Sequence, residues 1–284
     1  MRRIILIFFL LLSLASNSQQ HYKSRKEALV LGEQIQLYSS QLNEERTLNI
    51  YLPEGYNKKD SNHYPVIYVL DGGIDEDLLS VIAQVHYNSL PWVNNMSKSI
   101  IVGIVNTNRK RDFTSKSSVK SNMDCCPAAG GSSKFIAFIE KDLMHFINTN
   151  YKTLQNNTLI GQSFGALLAT EILFTKPEMF KNYILISPSL WWNDAYWLKT
   201  KSGILDATKA SPIAVFIGVG KEGLAPCSEG HVMELEANLL ADKLKQSCNK
   251  SIKVSFEYYP NENHATIYPK ALNDALKVLY LSPK

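Results

Sequence analysis

A serine, a histidine and an acidic residue in the second half of the chain have the types and the order that acyl-transfer chemistry uses. Ser163 is the centre of Gly161-Gln162-Ser163-Phe164-Gly165, between an apolar run and a small, apolar stretch typical of a helix. A serine on such a strand-to-helix turn projects its hydroxyl above a sheet and serves as a nucleophile. The Phe164 N–H, at the start of the predicted helix, would then point at a developing oxyanion.

The general base for Ser163 has two candidates, because among the six histidines only His231 and His264 follow the serine. His264 comes after the last predicted strand, in a loop rich in Asn and Pro, where a base would lie over the serine. His231 falls in the first turn of a predicted helix, where a surface residue is expected. We therefore assign proton transfer to His264.

The acid that orients the imidazole is expected in Gly220-Lys221-Glu222-Gly223, after the predicted strand 212–219. Glu222 is the best-placed carboxylate, since the active groups of a parallel sheet follow the carboxyl ends of its strands. Glu229 is the alternative, although it has the position of an acidic residue at a helix start. The sequence thus predicts a Ser163–Glu222–His264 triad.

The second oxyanion donor is expected in Asp71-Gly72-Gly73, directly after the apolar run 64–70. Glycines let the backbone approach a ligand closely, so we assign the Gly73 N–H. A plain glycine turn without a catalytic role is the alternative.

The elements that must position these residues alternate between strands and helices from Tyr64 onward. Apolar runs predict strands and 3.6-residue periodicity predicts helices. The predicted strands cover 29–42, 46–52, 64–70, 99–105, 182–186, 212–219 and 252–259, with a further strand entering the Ser163 turn. One predicted helix follows Gly73 and runs through Leu78, Leu79, Ile82 and Val85, a second follows Ser163, and others cover 135–147, 230–246 and 269–281. This alternation predicts an α/β fold with a mostly parallel central sheet, helices on both faces and a long polar loop at 106–133.

The N-terminus has the pattern of a signal peptide. Arg2 and Arg3 precede a continuous apolar run, 4–14, and small residues follow up to Ser18. The apolar run is short for a membrane span, so we expect cleavage after residue 18, a single domain over 19–284, and no stable span afterwards. The protein is then exported, to the periplasm or the medium. A membrane anchor is the alternative.

Charge and cysteine content exclude several classes of partner. The net charge is +4 and dispersed, which does not favour nucleic acid. The four cysteines include no C-x-x-C pair, so we predict no metal site, and no cofactor is needed for triad hydrolysis. A predicted helix separates Cys227 from Cys248, so we expect Cys227 to pair with Cys125 or Cys126.

The chain resembles the putative esterase family of α/β-hydrolases in six stretches: RTLNIYLPEGY, YPVIYVLDGG, NTNRKRDFT, LIGQSFGALLA, ISPSLWW and PNENHATIY. That family includes esterase D-like, feruloyl-esterase-like and siderophore-esterase-like proteins, and the IroE-type enterochelin esterases are the most similar group. The resemblance implies an α/β-hydrolase fold with Ser163 as nucleophile and His264 as base. The acid is less uniform in such enzymes, and Ala166 stands where the family usually has a second glycine.

Two groups of residues bear on the substrate. Arg109 and Arg111 lie in a basic loop after one strand, and Trp191 and Trp192 follow another. Cations beside aromatic walls favour an anionic ester with rings, and the resemblance points to siderophore esters of the enterochelin type. A solvated loop and core tryptophans are the competing interpretations.

Three classes of function remain compatible with the sequence. The first is an exported serine esterase acting on siderophore esters or, alternatively, on feruloyl or acetyl esters linked to polysaccharide. The second is an acyltransferase on the same fold. The third is a non-catalytic binding protein, which the retained Ser163 and His264 disfavour.

Overall fold

The predicted strands lie side by side in one sheet. A computed structural model describes residues 25–206 and 212–281. The strands are β1 (Glu33–Ser39), β2 (Glu44–Tyr51), β3 (Tyr64–Val69), β4 (Ile100–Ile104), β5 (Thr153–Gln162), β6 (Asn182–Ile186), β7 (Ile213–Gly220) and β8 (Ile252–Tyr259). Within the described residues they form an eight-stranded sheet in the order β1-β2-β4-β3-β5-β6-β7-β8.

The helices lie between these strands, mostly as predicted. They are α1 (Leu78–Asn88), α2 (Arg109–Phe113), α3 (Lys120–Cys125), α4 (Ser132–Ala137), α5 (Met144–Asn150), α6 (Phe164–Thr175), α7 (Trp192–Lys199), α8 (Gly203–Asp206), α9 (Met233–Lys245) and α10 (Tyr268–Tyr280). A π-helical turn, Phe138–Leu143, joins α4 to α5, and a 3₁₀ turn, Pro177–Met179, precedes β6.

The strands from β3 onward run parallel, whereas β1 and β2 pair antiparallel with their neighbours. Five of the six residues of β3 are buried, as expected for a strand covered on both faces. The carboxyl ends of β4, β3, β5, β6, β7 and β8 therefore meet at one edge of the sheet. Every predicted catalytic residue follows one of these ends.

Two hydrophobic cores cover the two faces of the sheet. One face packs against α1 and α10, through residues such as Val81, Ile82 and Leu272. The other packs against the segment from α4 to α5 and against α6 and α9, through residues such as Phe138, Leu168 and Leu240. The predicted arrangement, a mostly parallel sheet with helices on both faces, is confirmed.

Three local predictions differ from the structure. The polar segment 106–133 contains the short helices α2 and α3. Helix α9 begins at Met233 and not at Gly230, because Val232 forms a β-bridge with Leu224. Helix α7 was not predicted, and three of its residues, Asn193, Asp194 and Ala195, have left-handed backbone angles near φ 52–55°.

The N-terminal predictions fall largely outside the described residues. The predicted signal peptide, residues 1–18, is not among them, and residues 25–31 contain no helix or strand. The predicted first strand is shorter than expected and begins at Glu33. The sheet and its helices belong to one compact unit, Gly32–Lys284. No helix in the described part of the chain has the length and apolar content that a membrane crossing needs.

Candidate active site

Ser163 lies on the predicted turn between β5 and α6. Its backbone angles, φ 58° and ψ −119°, are strained for a residue with a side chain, and such strain is typical of functional turns. A Cβ on Gly161 would lie 2.5 Å from the carbonyl carbon of Gly165, so the tight crossing of strand and helix requires glycine there. The local sequence thus fixes the turn and leaves the Ser163 side chain half-buried at the carboxyl edge of the sheet.

The hydroxyl of Ser163 contacts a serine that sequence analysis did not single out. Ser163 Oγ lies 3.2 Å from Ser189 Oγ, and the Ser189 N–H donates to the Ser163 carbonyl oxygen, also at 3.2 Å. Ser189 is 2% exposed and follows β6, the neighbour of β5. In this structure the nucleophile candidate is therefore hydrogen-bonded to Ser189 and not to His264.

His264 and Glu222 form the hydrogen bond that the sequence predicts. His264 Nδ1 lies 2.6 Å from Glu222 Oε2. A carboxylate can only accept, so Nδ1 carries the proton and Nε2 is left free for proton transfer. The Glu222 side chain is 3% exposed and that of His264 is 47% exposed. A buried acid thus holds an accessible imidazole in one tautomer.

Further contacts, unforeseen in the sequence, hold this pair in place. The other carboxylate oxygen of Glu222 accepts hydrogen bonds from Ser187 Oγ and from the Gly220 N–H. Gln162 Nε2 donates to the His264 carbonyl oxygen at 2.6 Å. Each donor lies at or next to the carboxyl end of β5, β6 or β7, which is the signal that would have identified it.

The alternative base and acid lie in other surroundings. His231 Nδ1 bonds Glu236, and its Nε2 lies 3.5 Å from Asp194. Glu229 is exposed, and no hydrogen bond or ion pair to its side chain is found within the described chain. Neither residue contacts Ser163 or His264, so the geometry favours His264 and Glu222.

The two predicted oxyanion donors differ in what they bind. The Phe164 N–H, at the N-terminus of α6, donates no hydrogen bond to any described residue and is available to an anion. The Gly73 N–H instead donates to Glu76 Oε2 at 2.7 Å, and Asn106 Nδ2 donates to the second oxygen of Glu76, also at 2.7 Å. Glu76 therefore occupies the Gly73 donor in this structure.

Arg109, the first predicted substrate-binding cation, is held beside the Ser163 turn. Its Nε and Nη2 bond both oxygens of Asp71, at 2.5 and 2.8 Å, and Nη2 also donates to the Gln162 carbonyl oxygen. The guanidinium lies over the Phe113 and Phe164 rings, 5.3 and 5.8 Å from their centroids. Arg109 is one-third exposed, and Nη1 has no partner among the described residues.

Asp77 adds a titratable group to this side of the site. Burial, reinforced by the neighbouring charges of Asp71 and Glu76, raises the pKa of Asp77 from 3.8 to about 7. Within residues 25–206 and 212–281, no group of three or more His, Cys, Asp or Glu side chains has the geometry to hold a metal ion.

Arg111, the second predicted cation, belongs to a network of ion pairs away from these residues. It bonds both oxygens of Glu44, at 2.6 and 3.1 Å, and one oxygen of Asp112 at 2.7 Å. The hydrogen bond from Arg111 lowers the pKa of Glu44. The same two carboxylates pair with the fully buried Arg46. Arg111 therefore joins α2 to β2, and its substrate contact stays a prediction that this geometry does not favour.

The two predicted tryptophans differ as well. Trp192 is 1% exposed and donates from Nε1 to the Ser115 carbonyl oxygen at 3.0 Å, so it is part of the core. Trp191 packs on Phe164 with ring centroids 5.6 Å apart. It also lines a cavity of about 220 Å³, together with residues that include Asn122 and His231. Trp191 is itself only 3% exposed, so both tryptophans belong to the core, and Trp191 differs in bordering this cavity.

The profile of the family described as "Putative esterase" matches residues 39–279, which is most of the chain. The chain belongs to that family. Ferri-bacillibactin esterase BesA of Bacillus subtilis is 28% identical over 263 residues, covering 87% of this chain and 89% of BesA.

Two crystal structures of similar sequence place the esterase among α/β-hydrolases. The IroE-like serine hydrolase of Shewanella oneidensis is 29% identical, with a TM-score of 0.75 over 88% of this chain and 80% of that one. The BES protein of Bacillus cereus is also 29% identical, with a TM-score of 0.76 over 93% of this chain and 99% of that one. The fold is therefore the α/β-hydrolase fold, and the protein is a carboxylic ester hydrolase.

Proposed function

We propose that the protein is an exported serine esterase that hydrolyses siderophore esters through a Ser163–Glu222–His264 triad and an acyl-enzyme. The observation that carries the proposal is the 2.6 Å hydrogen bond between His264 Nδ1 and Glu222 Oε2. It lies at the same sheet edge as a serine on a strained turn. These three residues have the order and the chemistry of a hydrolase triad.

In the acylation step, Ser163 Oγ turns from Ser189 toward His264, and its proton passes to Nε2 as the oxygen attacks the ester carbonyl. The negatively charged Glu222 stabilises the imidazolium that forms. The Phe164 N–H stabilises the oxyanion, aided by the helix dipole of α6. The Gly73 N–H becomes the second donor when the oxyanion displaces Glu76.

Collapse of the tetrahedral intermediate expels the alcohol, which takes its proton from His264, and leaves an acyl group on Ser163. Water then attacks the acyl group, with His264 again as the base, and the acid product leaves. The same residues therefore serve both halves of the reaction, and no cofactor enters either half.

The siderophore assignment rests on relatives and on Arg109. The Bacillus subtilis relative is named a ferri-bacillibactin esterase, so its name gives an iron-bound ester as its substrate. Arg109 presents a guanidinium edge beside the Ser163 turn, and Trp191, packed on Phe164, borders a cavity of about 220 Å³. A catecholate ester, which is anionic and aromatic, matches both. Export follows from the signal-like pattern of residues 1–18 and makes such a carrier accessible.

The nucleophile is tested with a fluorophosphonate probe and a variant. The probe should label Ser163, and Ser163→Ala should lower kcat by roughly 10⁴–10⁶-fold, as for other serine hydrolases. Ser89→Ala, at the end of α1, is the matched control and should keep wild-type activity. Near-normal hydrolysis by Ser163→Ala would refute the serine mechanism.

The substrate class is tested by comparing purified protein on three kinds of ester. A ferric catecholate trilactone should have the highest kcat/KM, followed by a neutral aryl acetate and a feruloyl polysaccharide. A preference for the feruloyl ester would replace the siderophore assignment by the polysaccharide one. Transfer to an added alcohol in preference to water would indicate an acyltransferase. Export is tested separately: protein recovered outside the cytoplasm should have Gln19 as its first residue when its N-terminus is sequenced.

A further inference from the structure

Three of the four cysteines meet where the segment after β4 contacts the segment after β7. Cys125 Sγ lies 3.1 Å from Cys126 Sγ and bonds the Asn122 carbonyl oxygen at 3.3 Å. The side chain of the same Asn122 donates to the Cys227 carbonyl oxygen at 3.2 Å. Asn122 therefore bridges the two cysteines, and the neighbouring Cys125 thiol raises the pKa of Cys227. All three are thiols in this structure.

Backbone geometry decides which two of these thiols can be joined. Neighbouring Cα atoms are about 3.8 Å apart across a trans peptide, whereas disulfides usually need about 4.4–6.8 Å. The described chain has no cis peptide, so a Cys125–Cys126 bond would require distortion. Cys126 is also buried in the core at 2% exposure, whereas Cys227 is exposed. Cys227 is therefore the favoured partner of Cys125.

Cys248 lies at the far end of α9 from Cys227. The helix has 13 residues, which corresponds to a length of about 20 Å at 1.5 Å per residue. This length keeps Cys248 out of reach of Cys227 and leaves it without a partner for a disulfide in the described part of the chain.

We propose that Cys125 and Cys227 form a disulfide that straps the segment after β4 to the segment after β7. The oxidant is a small disulfide such as oxidised glutathione. The Cys125 thiolate attacks it, which releases one reduced thiol and leaves a mixed disulfide on Cys125. The Cys227 thiolate then attacks the Cys125 sulfur and releases the second reduced thiol. Two cysteine protons and two electrons are lost, and the small disulfide takes up both electrons.

The strap joins two segments that carry proposed active-site residues. Lys110, next to Arg109 in α2, donates to the Cys125 carbonyl oxygen at 2.9 Å, so α3 is tied to α2. Glu222 lies five residues before Cys227, and its N–H is held by Glu234 at 2.8 Å. The disulfide would therefore limit the motion of the loop that begins with the triad acid.

The surroundings of the two thiols set how readily the bond forms. Burial and the Cys126 thiol raise the pKa of Cys125, and the nearby Cys125 thiol raises that of Cys227. The thiolate is the attacking species, so bond formation is slow at neutral pH and accelerates as the pH rises. In the cell, such a bond requires an oxidising compartment, which agrees with the proposed export.

The bond is tested by incubating purified protein with excess oxidised glutathione, alkylating the free thiols, and mapping peptides without reduction. We expect one cross-link between the peptide of Cys125 and Cys126 and the peptide of Cys227, with Cys248 alkylated. Cys126→Ser should keep the cross-link, whereas Cys125→Ser and Cys227→Ser should each abolish it. A link that survives Cys125→Ser, a Cys125–Cys126 or Cys227–Cys248 bond, or four free thiols would overturn the proposal.

Thermal unfolding provides a second readout that does not depend on esterase activity. The bond closes a loop of about 100 residues, so the oxidised protein should melt about 5–10 °C above the reduced one. The difference should vanish in Cys227→Ser, whose side chain is exposed, and persist in Cys248→Ser, the matched control. Equal melting temperatures of oxidised and reduced wild-type protein would also contradict the proposed disulfide.

Discussion

On one side of Ser163, Glu222 already holds His264 Nδ1 at 2.6 Å; on the other, the Gly73 N–H is held by Glu76 at 2.7 Å. On the base side, the acid–base pair of Glu222 and His264 is already hydrogen-bonded, while Ser163 Oγ contacts Ser189. The oxyanion side has one donor available, the Phe164 N–H, and one donor occupied by a carboxylate.

This difference follows from burial. The Glu222 carboxylate is 3% exposed and bonds Ser187, Gly220 and His264, so another arrangement would leave a buried charge unpaired. Glu76 is exposed and can exchange Gly73 and Asn106 for water. The base side is thus preorganised, whereas the substrate must compete for the oxyanion side.

The largest effect is expected from removing the charge on the base side. Glu222→Gln should lower kcat by roughly 10²–10⁴-fold, less than loss of Ser163, because the imidazolium loses its counter-charge while the loops keep their geometry. Steady-state kinetics with an aryl acetate measures it. Glu229→Gln is the matched control and should be near-neutral. If Glu229→Gln costs more than Glu222→Gln, the acid has been misassigned.

The next largest loss of activity should distinguish Arg109 from Arg111, the two arginines of α2. Arg109→Ala should lower kcat/KM for an anionic ester by roughly 10–100-fold, because the side chain contacts Phe164 and the Gln162 carbonyl oxygen on either side of Ser163. It should also reduce the salt sensitivity of that reaction, since attraction between exposed charges is screened.

Arg111→Ala is the companion of Arg109→Ala. It should lower the melting temperature, because Glu44 and the buried Asp112 lose a partner, while kcat/KM changes less than about threefold. Equal losses of kcat/KM in the two variants, or equal losses on anionic and neutral esters, would show that Arg109 is structural as well and would favour the polysaccharide substrate.

Removing the Glu76 carboxylate, which occupies the Gly73 N–H, should increase the rate. Glu76→Ala leaves the Gly73 N–H available to the oxyanion, so kcat/KM should rise by about 3–10-fold, which corresponds to a typical net hydrogen-bond contribution of about 1 kcal/mol. Asp75→Ala is the control: its carboxylate also lies near Gly73 but does not bond the N–H. A large loss of activity in Glu76→Ala would mean that Glu76 positions the loop and does not compete with the oxyanion.

The smallest effect is expected from Asp77, whose ionisation should make kcat/KM depend on pH near the oxyanion donors. Asp77 has a pKa of about 7 in the folded protein, so it ionises as the pH rises through 7 and adds a negative charge near Asp71 and Glu76. Asp77→Asn should raise kcat/KM by about two- to fivefold above pH 7.5, with no change at pH 5.5. The ratio of the two pH–rate profiles measures this effect, and a ratio that does not vary with pH would contradict it.

Stability provides a second readout for Asp77. Its pKa is higher in the folded than in the unfolded chain, so the native state binds the extra proton between about pH 4 and 7. The contribution of Asp77 to stability is therefore fully present below pH 4 and lost as the pH rises through 7. Asp77→Asn should flatten that part of the stability profile, measured by thermal unfolding.

The fold and the three triad candidates could be predicted because their signals are local. A buried strand is an apolar run, the Ser163 turn needs glycines two residues away on each side, and Glu222 and His264 follow strands directly. The roles of the substrate-side residues could not be separated this way. Arg109 and Arg111 are two positions apart with the same charge, yet one bonds Asp71 and the other bonds Glu44 and Asp112.

By itself, the sequence determined the α/β alternation, the order of the candidate nucleophile, acid and base, and the strand end that each candidate follows. The tertiary structure alone decided which hydrogen-bond donors and charges are already paired, such as Ser163 with Ser189 and Arg109 with Asp71. The physical reason is the range of the interactions. A turn depends on adjacent dihedral angles, whereas a hydrogen bond depends on a distance that folding sets between residues 26 or 38 positions apart.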